Sequence, residues 1–220
     1  SQPKMRFRFS TSNPQDMALD VIKTMASHQN ICNHVHLPVQ SGSNRILKEM
    51  NRQHSREEYI DLVNNIKTII PECTISQDMI CGFPTETEQD HQDTLSLMEL
   101  IKYSFGFMYA YSERPGTTAE RKLEDDVAFE TKKRRLAEVV ELQRAHGLYR
   151  TQQFINQTVE ILIEKESKKS TSEWSGRSAE NTVAVFPKGP YKIGDFVMVK
   201  INDCTSATLI GEAIGFSENN

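Results

Sequence analysis

The chain has 220 residues and a formal net charge of −4, so it is long enough for one large or two small domains, and its charge does not favour nucleic acid or a membrane surface. No apolar run approaches the roughly 20 residues that a membrane-spanning helix needs, and the first ten residues lack an apolar signal core. We therefore expect a cytoplasmic protein with no membrane partner.

The four cysteines lie far apart along the chain, at Cys32, Cys73, Cys81 and Cys204. A disulfide framework or a local metal site usually shows closely spaced cysteines, such as a CxxC pair. The sequence therefore predicts buried free thiols and no metal ligands.

The first third of the chain contains two predicted strand-helix units. Residues 6–10 alternate charged and apolar side chains, as in a short strand, and Asn13 and Pro14 are typical of the cap and first residue of a helix over 13–26. Residues 35–39 alternate again and predict a second strand, which a QSGSN turn connects to a helix over 44–51.

A helix precedes the third unit and another follows its strand. Ser55 and Glu58 have the spacing of a capping box, and the apolar residues after them recur at helical spacing. Residues 74–81 are rich in β-branched and apolar side chains and predict a buried strand, which a Gly-Phe-Pro turn ends. Thr85 and Glu88 predict a second capping box at the start of the following helix.

A fourth strand is predicted over 105–111 and a long charged helix over 129–150. Strands that recur every 30 to 40 residues with helices between them indicate a parallel sheet. Four such units cannot close a β/α barrel, which needs eight. The fold class is therefore α/β, with an incomplete parallel β/α barrel whose first strand needs upstream sequence or a partner to cover its edge.

The pattern changes near residue 154 to short alternating segments separated by turn-forming stretches, including residues 169–178. This predicts a small antiparallel, OB-like β-barrel, a class that often binds RNA. The predicted domains are thus 1–153 and 154–220. From residue 154 onward the sequence contains seven basic and nine acidic residues, so any RNA contact must depend on a local group of basic residues.

Each predicted strand ends in a polar loop, and in a parallel sheet these loops converge on one edge, where α/β proteins bind ligands. Helix capping can explain the polar residues of any single loop, but polar residues in all four loops favour a shared ligand site.

His34 and His36 lie on one strand face beside Asp78. We expect them to be hydrogen-bonded polar residues rather than metal ligands, since no third ligand is evident. Residues 132–135, KKRR, are expected to form a solvated helix face rather than an RNA anchor.

Three motifs carry a resemblance to a known family: HLPVQSGSNRILKEMNR at 36–52, DMICGFPTETEQD at 78–90 and YSERPGT at 111–117. With them, the whole chain resembles the radical S-adenosylmethionine methylthiotransferases, most closely the MiaB-type tRNA branch. Residues 6–150 resemble the later part of the radical domain, and the remainder resembles the TRAM module. The branch acting on threonylcarbamoyl-adenosine is the near alternative.

The resemblance implies S-adenosylmethionine bound against a 4Fe–4S cluster, whose reductive cleavage produces a 5'-deoxyadenosyl radical. That radical abstracts hydrogen from C2 of an isopentenylated adenosine beside the anticodon, and sulfur and a methyl group are then added. It also implies that strand-end residues bind the cofactor. These candidates are Ser10, Ser12, Gln40, Ser41, Gly42, Asp78, Ile80, Gly82, Phe83, Tyr111 and Ser112.

The family implies tRNA as partner, with contacts that we expect at Arg114, Lys165, Lys168, Lys169 and Arg177. Trp174 is either a stacking residue or part of the barrel core. The family's two 4Fe–4S clusters need a CxxxCxxC motif and three further cysteines, which this sequence lacks.

We therefore expect the C-terminal part of an enzyme. Without its N-terminal cluster-binding part it should be inactive, and it should be monomeric when complete. The alternative from another class is a non-catalytic RNA-binding protein.

Overall fold

A computed structural model describes residues 5–8 and 13–218. Its first part contains a parallel sheet of three strands in the order β1 (His34–His36), β2 (Thr74–Cys81) and β3 (Phe105–Ala110). Isolated parallel bridges join Phe7 to Ile31 and Gln40 to Met79. The predicted first strand is thus represented by one bridge at Phe7, and its last two residues lie outside the described residues.

The helices that contribute to the apolar core pack on one face of this sheet. The described helices are α1 (Leu19–Ser27), α2 (Asn44–Glu49), α3 (Arg56–Ile69), α4 (Glu88–Ile101), α5 (Thr118–Lys122) and α6 (Phe129–Gln152), with a 3-10 turn at Pro14–Asp16. Buried apolar side chains of the sheet and of α3, α4 and α6 form one core between them. Burial of each such side chain stabilises the fold by about 1.5–3 kcal/mol.

One predicted helix is interrupted, although Asn13 and Pro14 begin a 3-10 turn as predicted, and one predicted cap was wrong. The helix expected over 13–26 is broken, because Met17 turns into the core and Ala18 is extended before α1 begins. The capping box of α4 is formed by Thr87 and Asp90, not by Thr85 and Glu88. Thr85 has a φ of 68°, which the preceding turn imposes and which excludes the extended backbone of an N-cap. The box at Ser55 and Glu58 is confirmed.

The second part is a closed five-stranded barrel. Its strands are β4 (Thr158–Glu166), β5 (Glu173–Arg177), β6 (Val183–Pro187), β7 (Phe196–Cys204) and β8 (Thr208–Phe216), in the order β4-β5-β6-β8-β7. The expectation of an antiparallel barrel needs one correction, because β6 and β8 pair in parallel.

Strand β5 was missed in the sequence, where residues 169–178 were assigned to a turn. The polar letters EWSGR show no clear alternation, yet the strand pairs on both sides with β4 and β6. Gly176 is needed there, since an added Cβ would lie 2.2 Å from the carbonyl oxygen of Leu162. The predicted boundary at 153/154 falls between α6 and β4 and stays a prediction.

The barrel packs against the amino ends of the parallel strands. Thr74, the first residue of β2, donates its hydroxyl to the Glu180 carbonyl at 2.6 Å, and Arg6 donates to the Arg177 carbonyl at 2.6 Å. At the end of α6, Thr151 donates to the Thr205 carbonyl at 2.7 Å. The carboxyl ends of the strands are therefore left free of the barrel. No helix within the described ranges has the length and apolar character needed to cross a membrane.

Gly147 allows α6 to lie close against the barrel. An added Cβ there would lie 2.5 Å from the carbonyl oxygen of Ser206. Gly147→Ala should therefore destabilise the protein by about 1–3 kcal/mol through overpacking, although alanine alone favours a helix by about 1 kcal/mol. Urea unfolding measures the change. Gly215→Ala is the control, since nothing lies within 4 Å of its added Cβ; a stabilised Gly147→Ala variant would contradict the packing.

Candidate active site at the carboxyl end of the sheet

The face of the sheet opposite the helices is polar and aromatic. The side chains on it are His34, His36, Thr74, Ser76, Asp78, Phe105, Phe107 and Tyr109. Phe107 and Tyr109 on the edge strand β3 are 51% and 55% exposed. This face is the inner side of an open, partial barrel.

The expectation that His34 and His36 are hydrogen-bonded polar residues is confirmed. His34 lies 2.9 Å from the Thr74 hydroxyl and 3.1 Å from that of Ser76. His36 lies 2.8 Å from the Ser76 hydroxyl and 3.3 Å from Asp78 Oδ1. The two rings and three β2 side chains therefore form a continuous polar row that ends at Asp78, near the carboxyl end of β2.

Gln40 marks the end of the β1 segment and has a left-handed backbone, with a φ of 75°. Its N–H donates to the Asp78 carbonyl at 2.9 Å, and its own carbonyl accepts from the Ile80 N–H at 3.0 Å. A non-glycine residue in this region costs of order 1–3 kcal/mol and occurs most often at binding sites. The backbone bonds to β2 hold Gln40 in this conformation beside Asp78.

The residues that follow Gln40 hold the loop beside the site in place. Ser41 is fully buried, and its hydroxyl accepts from the Ser43 N–H at 3.2 Å. The Gly42 N–H donates to the Thr94 hydroxyl at 2.9 Å, and an added Cβ would lie 2.5 Å from the Asp93 carbonyl oxygen. Ser41 and Gly42 thus hold the loop against α4; their predicted role in cofactor binding stays a prediction.

Arg52 is a site residue that the sequence reasoning missed. It is half-buried, and burial lowers the pKa of its guanidinium while the charge of Asp78 opposes that shift. Within the described part of the chain, no hydrogen bond or ion pair of its guanidinium is found. Asn51, with a φ of 55°, turns the chain after α2 back towards the sheet. The sequence feature that could have indicated Arg52 is the Asn51-Arg52 pair at the end of a predicted helix, because Asn can end a helix in the left-handed conformation and so redirect the next residue.

The loop after β2 is held by a buried ion pair. The Gly82 N–H donates to Glu86 Oε1 at 2.8 Å, and the Arg135 guanidinium binds the same oxygen at 2.9 Å. Burial raises the pKa of the Glu86 carboxyl, and the Gly82 N–H and the Arg135 charge counteract that rise. Gly82 has a φ of 71° and lies against Lys132, so it shapes the loop.

The expected solvated face at 132–135 was wrong for two of its four residues. Lys132 and Arg135 are buried, and only Lys133 and Arg134 are exposed. Lys132 binds Asp125 at 2.6 Å and lies 5.1 Å from the Tyr111 ring centroid. Helix α6 therefore uses one side of the KKRR segment to hold the strand-end loops, because loop carboxylates and rings face it.

The remaining predicted cofactor residues are spread around this edge. Phe83 is buried and meets the Tyr111 ring edge-on at 5.1 Å, while Ile80 is half-buried and Ser112 is exposed. Ser10 and Ser12 lie outside the described residues. The structure thus places Gln40 beside Asp78 and brings Arg52 near enough for the charge of Asp78 to affect its pKa.

The predicted RNA contacts lie on two separate surfaces. Lys165, Lys168 and Lys169 are exposed on the barrel, whereas Arg114 is exposed in the loop after β3. Arg177 is paired with Glu164 at 2.8 Å. Of the predicted contacts, the three lysines are therefore the accessible ones on the barrel.

Trp174 belongs to the barrel core rather than to an open stacking surface. It packs against the buried apolar cluster of the barrel, and its indole N–H donates to the Tyr191 carbonyl at 3.1 Å. Lys188 lies 4.5 Å from the ring centroid and is held there by Glu166. A nucleobase would have to displace Lys188 to stack on this ring.

The cysteines are free thiols, and the first three are buried. Burial raises the pKa of Cys73 to about 11 and that of Cys81 to about 12. Iron-sulfur ligation needs thiolates. Within the described residues, no group of three or more candidate metal ligands includes a cysteine.

One further cluster brings Glu88, His91 and Glu138 together, with a ligand atom of each within 4.8 Å of the others. His91 Nε2 lies 2.7 Å from a Glu138 oxygen, and Arg134 binds both carboxylates at 2.6 Å. Since Arg134 already neutralises the acids, the cluster is an ion-pair network between α4 and α6.

Comparison with known proteins defines the class of this chain. Residues 1–98 match the radical SAM superfamily and residues 152–214 match the TRAM domain. Coproporphyrinogen III oxidase from Escherichia coli, described as a radical SAM enzyme, aligns with a TM-score of 0.52 at 15% identity, over 93% of this chain and 50% of that structure. That likeness concerns the fold alone. The chain combines a radical SAM segment with a TRAM domain.

The relatives are more specific. The chain is 70% identical over its whole length to a tRNA-2-methylthio-N(6)-dimethylallyladenosine synthase from Christiangramia forsetii, and 66% identical over 99% of its length to the synthase of that name from Flavobacterium psychrophilum. It spans 46% and 45% of those proteins, about half their length. The resemblance to the MiaB-type methylthiotransferases is therefore confirmed.

The Glu86–Arg135 pair allows a direct test of how α6 holds the site. Both side chains are nearly inaccessible, at 2% and 5% exposure. Arg135→Ala should lower the free energy of unfolding by about 3–5 kcal/mol, because Glu86 keeps a buried charge without its partner. Arg134→Ala, one residue away and exposed, should change it by less than about 1 kcal/mol. Equal effects in urea unfolding would contradict this account.

Proposed function

We propose that the chain is the C-terminal part of a tRNA methylthiotransferase that adds a methylthio group to C2 of an isopentenylated adenosine next to the anticodon. The observation that carries this proposal is the 70% identity over both the radical SAM segment and the TRAM domain. The threonylcarbamoyl-adenosine branch and a non-catalytic RNA-binding role are less well supported, since the relatives carry the dimethylallyladenosine name and the sheet edge has an open polar site.

The residues at the sheet edge suit S-adenosylmethionine. Arg52 offers a half-buried guanidinium for a carboxylate, and Asp78 offers a carboxylate that can accept from ribose hydroxyls or an ammonium group. Gln40 adds an amide at the same edge. Bound there, the cofactor supplies the radical chemistry of the family, while these side chains bind and orient it.

The chain's thiols do not suit the iron-sulfur clusters, because within the described residues no cysteine lies close to two further candidate ligands. We infer that the ligands of both 4Fe–4S clusters come from an N-terminal part outside this chain, consistent with its spanning about half of its relatives. The chain alone would be inactive, and the complete enzyme would act as a monomer in the cytoplasm.

Cofactor binding by the full-length protein tests the site. Asp78→Asn, Gln40→Ala and Arg52→Gln should each weaken S-adenosylmethionine binding by roughly ten- to hundredfold, the equivalent of about 1–3 kcal/mol for a lost hydrogen-bonding partner. Isothermal titration calorimetry measures the affinity. Arg134→Gln, which removes an exposed cation elsewhere, serves as the control. Affinities unchanged in all three variants would move the cofactor to another surface.

The basic group on the barrel makes a second prediction, for tRNA. Lys168→Ala/Lys169→Ala should weaken tRNA binding and flatten its dependence on salt by about two units of slope, one for each lost phosphate contact. Arg177→Ala should have a smaller effect than either lysine, because Arg177 is paired with Glu164. Lys23→Ala/Lys48→Ala removes the same charge from exposed helix positions as a control. If both double variants show the same salt dependence of tRNA binding as the unchanged protein, the RNA binds elsewhere.

A further inference from the structure

A cleft with a volume of about 680 Å³ lies between the TRAM barrel and the parallel sheet. Its walls include Thr74 and Phe105, the first residues of β2 and β3, together with Phe154 after α6 and residues 180–182 before β6. It therefore lies at the amino ends of the strands, whereas the candidate cofactor site lies at their carboxyl ends. Pockets of this size receive small molecules and cofactors.

Two cations line this cleft where it meets a smaller hollow of about 380 Å³ between α3 and α4. They are Lys67, in the last turn of α3, and Arg150, in the last turn of α6. Both side chains are half-buried, and both border the two spaces. Two positive charges from separate helices therefore meet at the edge of the cleft.

Backbone carbonyls hold both cations in place. Lys67 Nζ donates to the Cys73 carbonyl. Arg150 donates from Nε to the Lys102 carbonyl at 2.8 Å and from Nη2 to the Ile101 carbonyl at 3.0 Å, at the negative end of α4. Among the described residues these are their hydrogen bonds, so Arg150 Nη1 and two of the three Lys67 protons remain for a ligand.

The two charges repel each other without a neighbouring carboxylate to offset them. Burial lowers the pKa of Lys67, and the Arg150 charge lowers it further; burial also lowers the pKa of Arg150. Glu72, Glu160 and Glu180 line the cleft too, but in the described part of the chain neither cation forms an ion pair, and no carboxylate is among the charges that shift either pKa. Glu160 is bound by Arg6 at 2.9 Å.

The fully buried cations of the described residues are arranged differently. Lys132 is bound by Asp125, and Arg135 is bound by Glu86. Each carboxylate offsets the cost of removing its partner's charge from water. An anionic ligand between Lys67 and Arg150 would have the same effect on two cations at once.

We propose that Lys67 and Arg150 bind a phosphate group at the edge of this cleft, carried by a free small molecule or by RNA. A phosphate group has at least three acceptor oxygens and between one and two negative charges, which match two cations. A carboxylate has one charge and would leave one cation unmatched. Arginine suits two oxygens of a phosphate at once, and lysine binds another as a point charge.

Equilibrium dialysis of the full-length protein against 32P-labelled inorganic phosphate at low ionic strength tests the site. Lys67→Gln keeps a donor for the Cys73 carbonyl but removes the charge, so it should weaken phosphate binding roughly ten- to hundredfold. Lys67→Arg keeps the charge and should retain most of the affinity. Lys133→Gln removes the same charge from an exposed position on α6 and is the matched control.

The wild-type measurement decides the proposal even if a variant does not fold. Absence of saturable phosphate binding to the wild-type protein would overturn it, as would equal affinities of the wild-type protein and a folded Lys67→Gln variant. Binding that is lost in Lys67→Gln and kept in Lys133→Gln would support it.

Addition of saturating tRNA then distinguishes the two sources of the phosphate group. Release of the labelled phosphate, with a salt dependence of tRNA binding that is flatter by about one unit of slope in Lys67→Gln, assigns the site to an RNA phosphate. Labelled phosphate that stays bound assigns it to a free small molecule. The tRNA measurement rests on the proposed function, whereas the phosphate measurement does not, so the two can fail separately.

Discussion

The buried ion pair between Glu86 and Arg135 connects the loop at the carboxyl end of β2 to α6, and the rest of the arrangement depends on it. Helix α6 has 24 residues and is therefore about 36 Å long. Near its start it holds the strand-end loop through Arg135 and Lys132, and near its end it meets the barrel through Gly147 and Thr151. One rigid element thus sets the distance between the candidate site and the TRAM domain.

The polar residues of the site divide into those that support it and those that remain open. Ser41, Gly42 and Gly82 have their polar groups bonded within loops or to α4, and close contacts leave no room for larger side chains at the two glycines. Asp78 and Arg52 are half-buried and lie at the open edge. A site that must receive a ligand needs both kinds, because the supporting bonds hold the open groups in place beforehand.

The two faces of the sheet differ in character. The helix-facing side is an apolar core, whereas the inner side carries histidines, hydroxyls and two exposed aromatic rings. The barrel occupies the amino ends of the strands and so leaves the carboxyl ends and the inner face accessible. The polar row that crosses this face joins the two regions.

Local patterns in the sequence determined the elements: β2 over Thr74–Cys81, the capping box at Ser55, and the change from helical units to short strands near residue 154, because periodicity and caps act within a few residues. Motifs of the sequence also determined the family resemblance. Only the tertiary structure decided that Thr87 rather than Thr85 caps α4, that EWSGR is a strand, that Lys132 and Arg135 are buried, and that Arg52 lies near Asp78. Apart from the choice between Thr85 and Thr87 as the cap, each of these depends on contacts between residues distant in the chain, which no local pattern encodes.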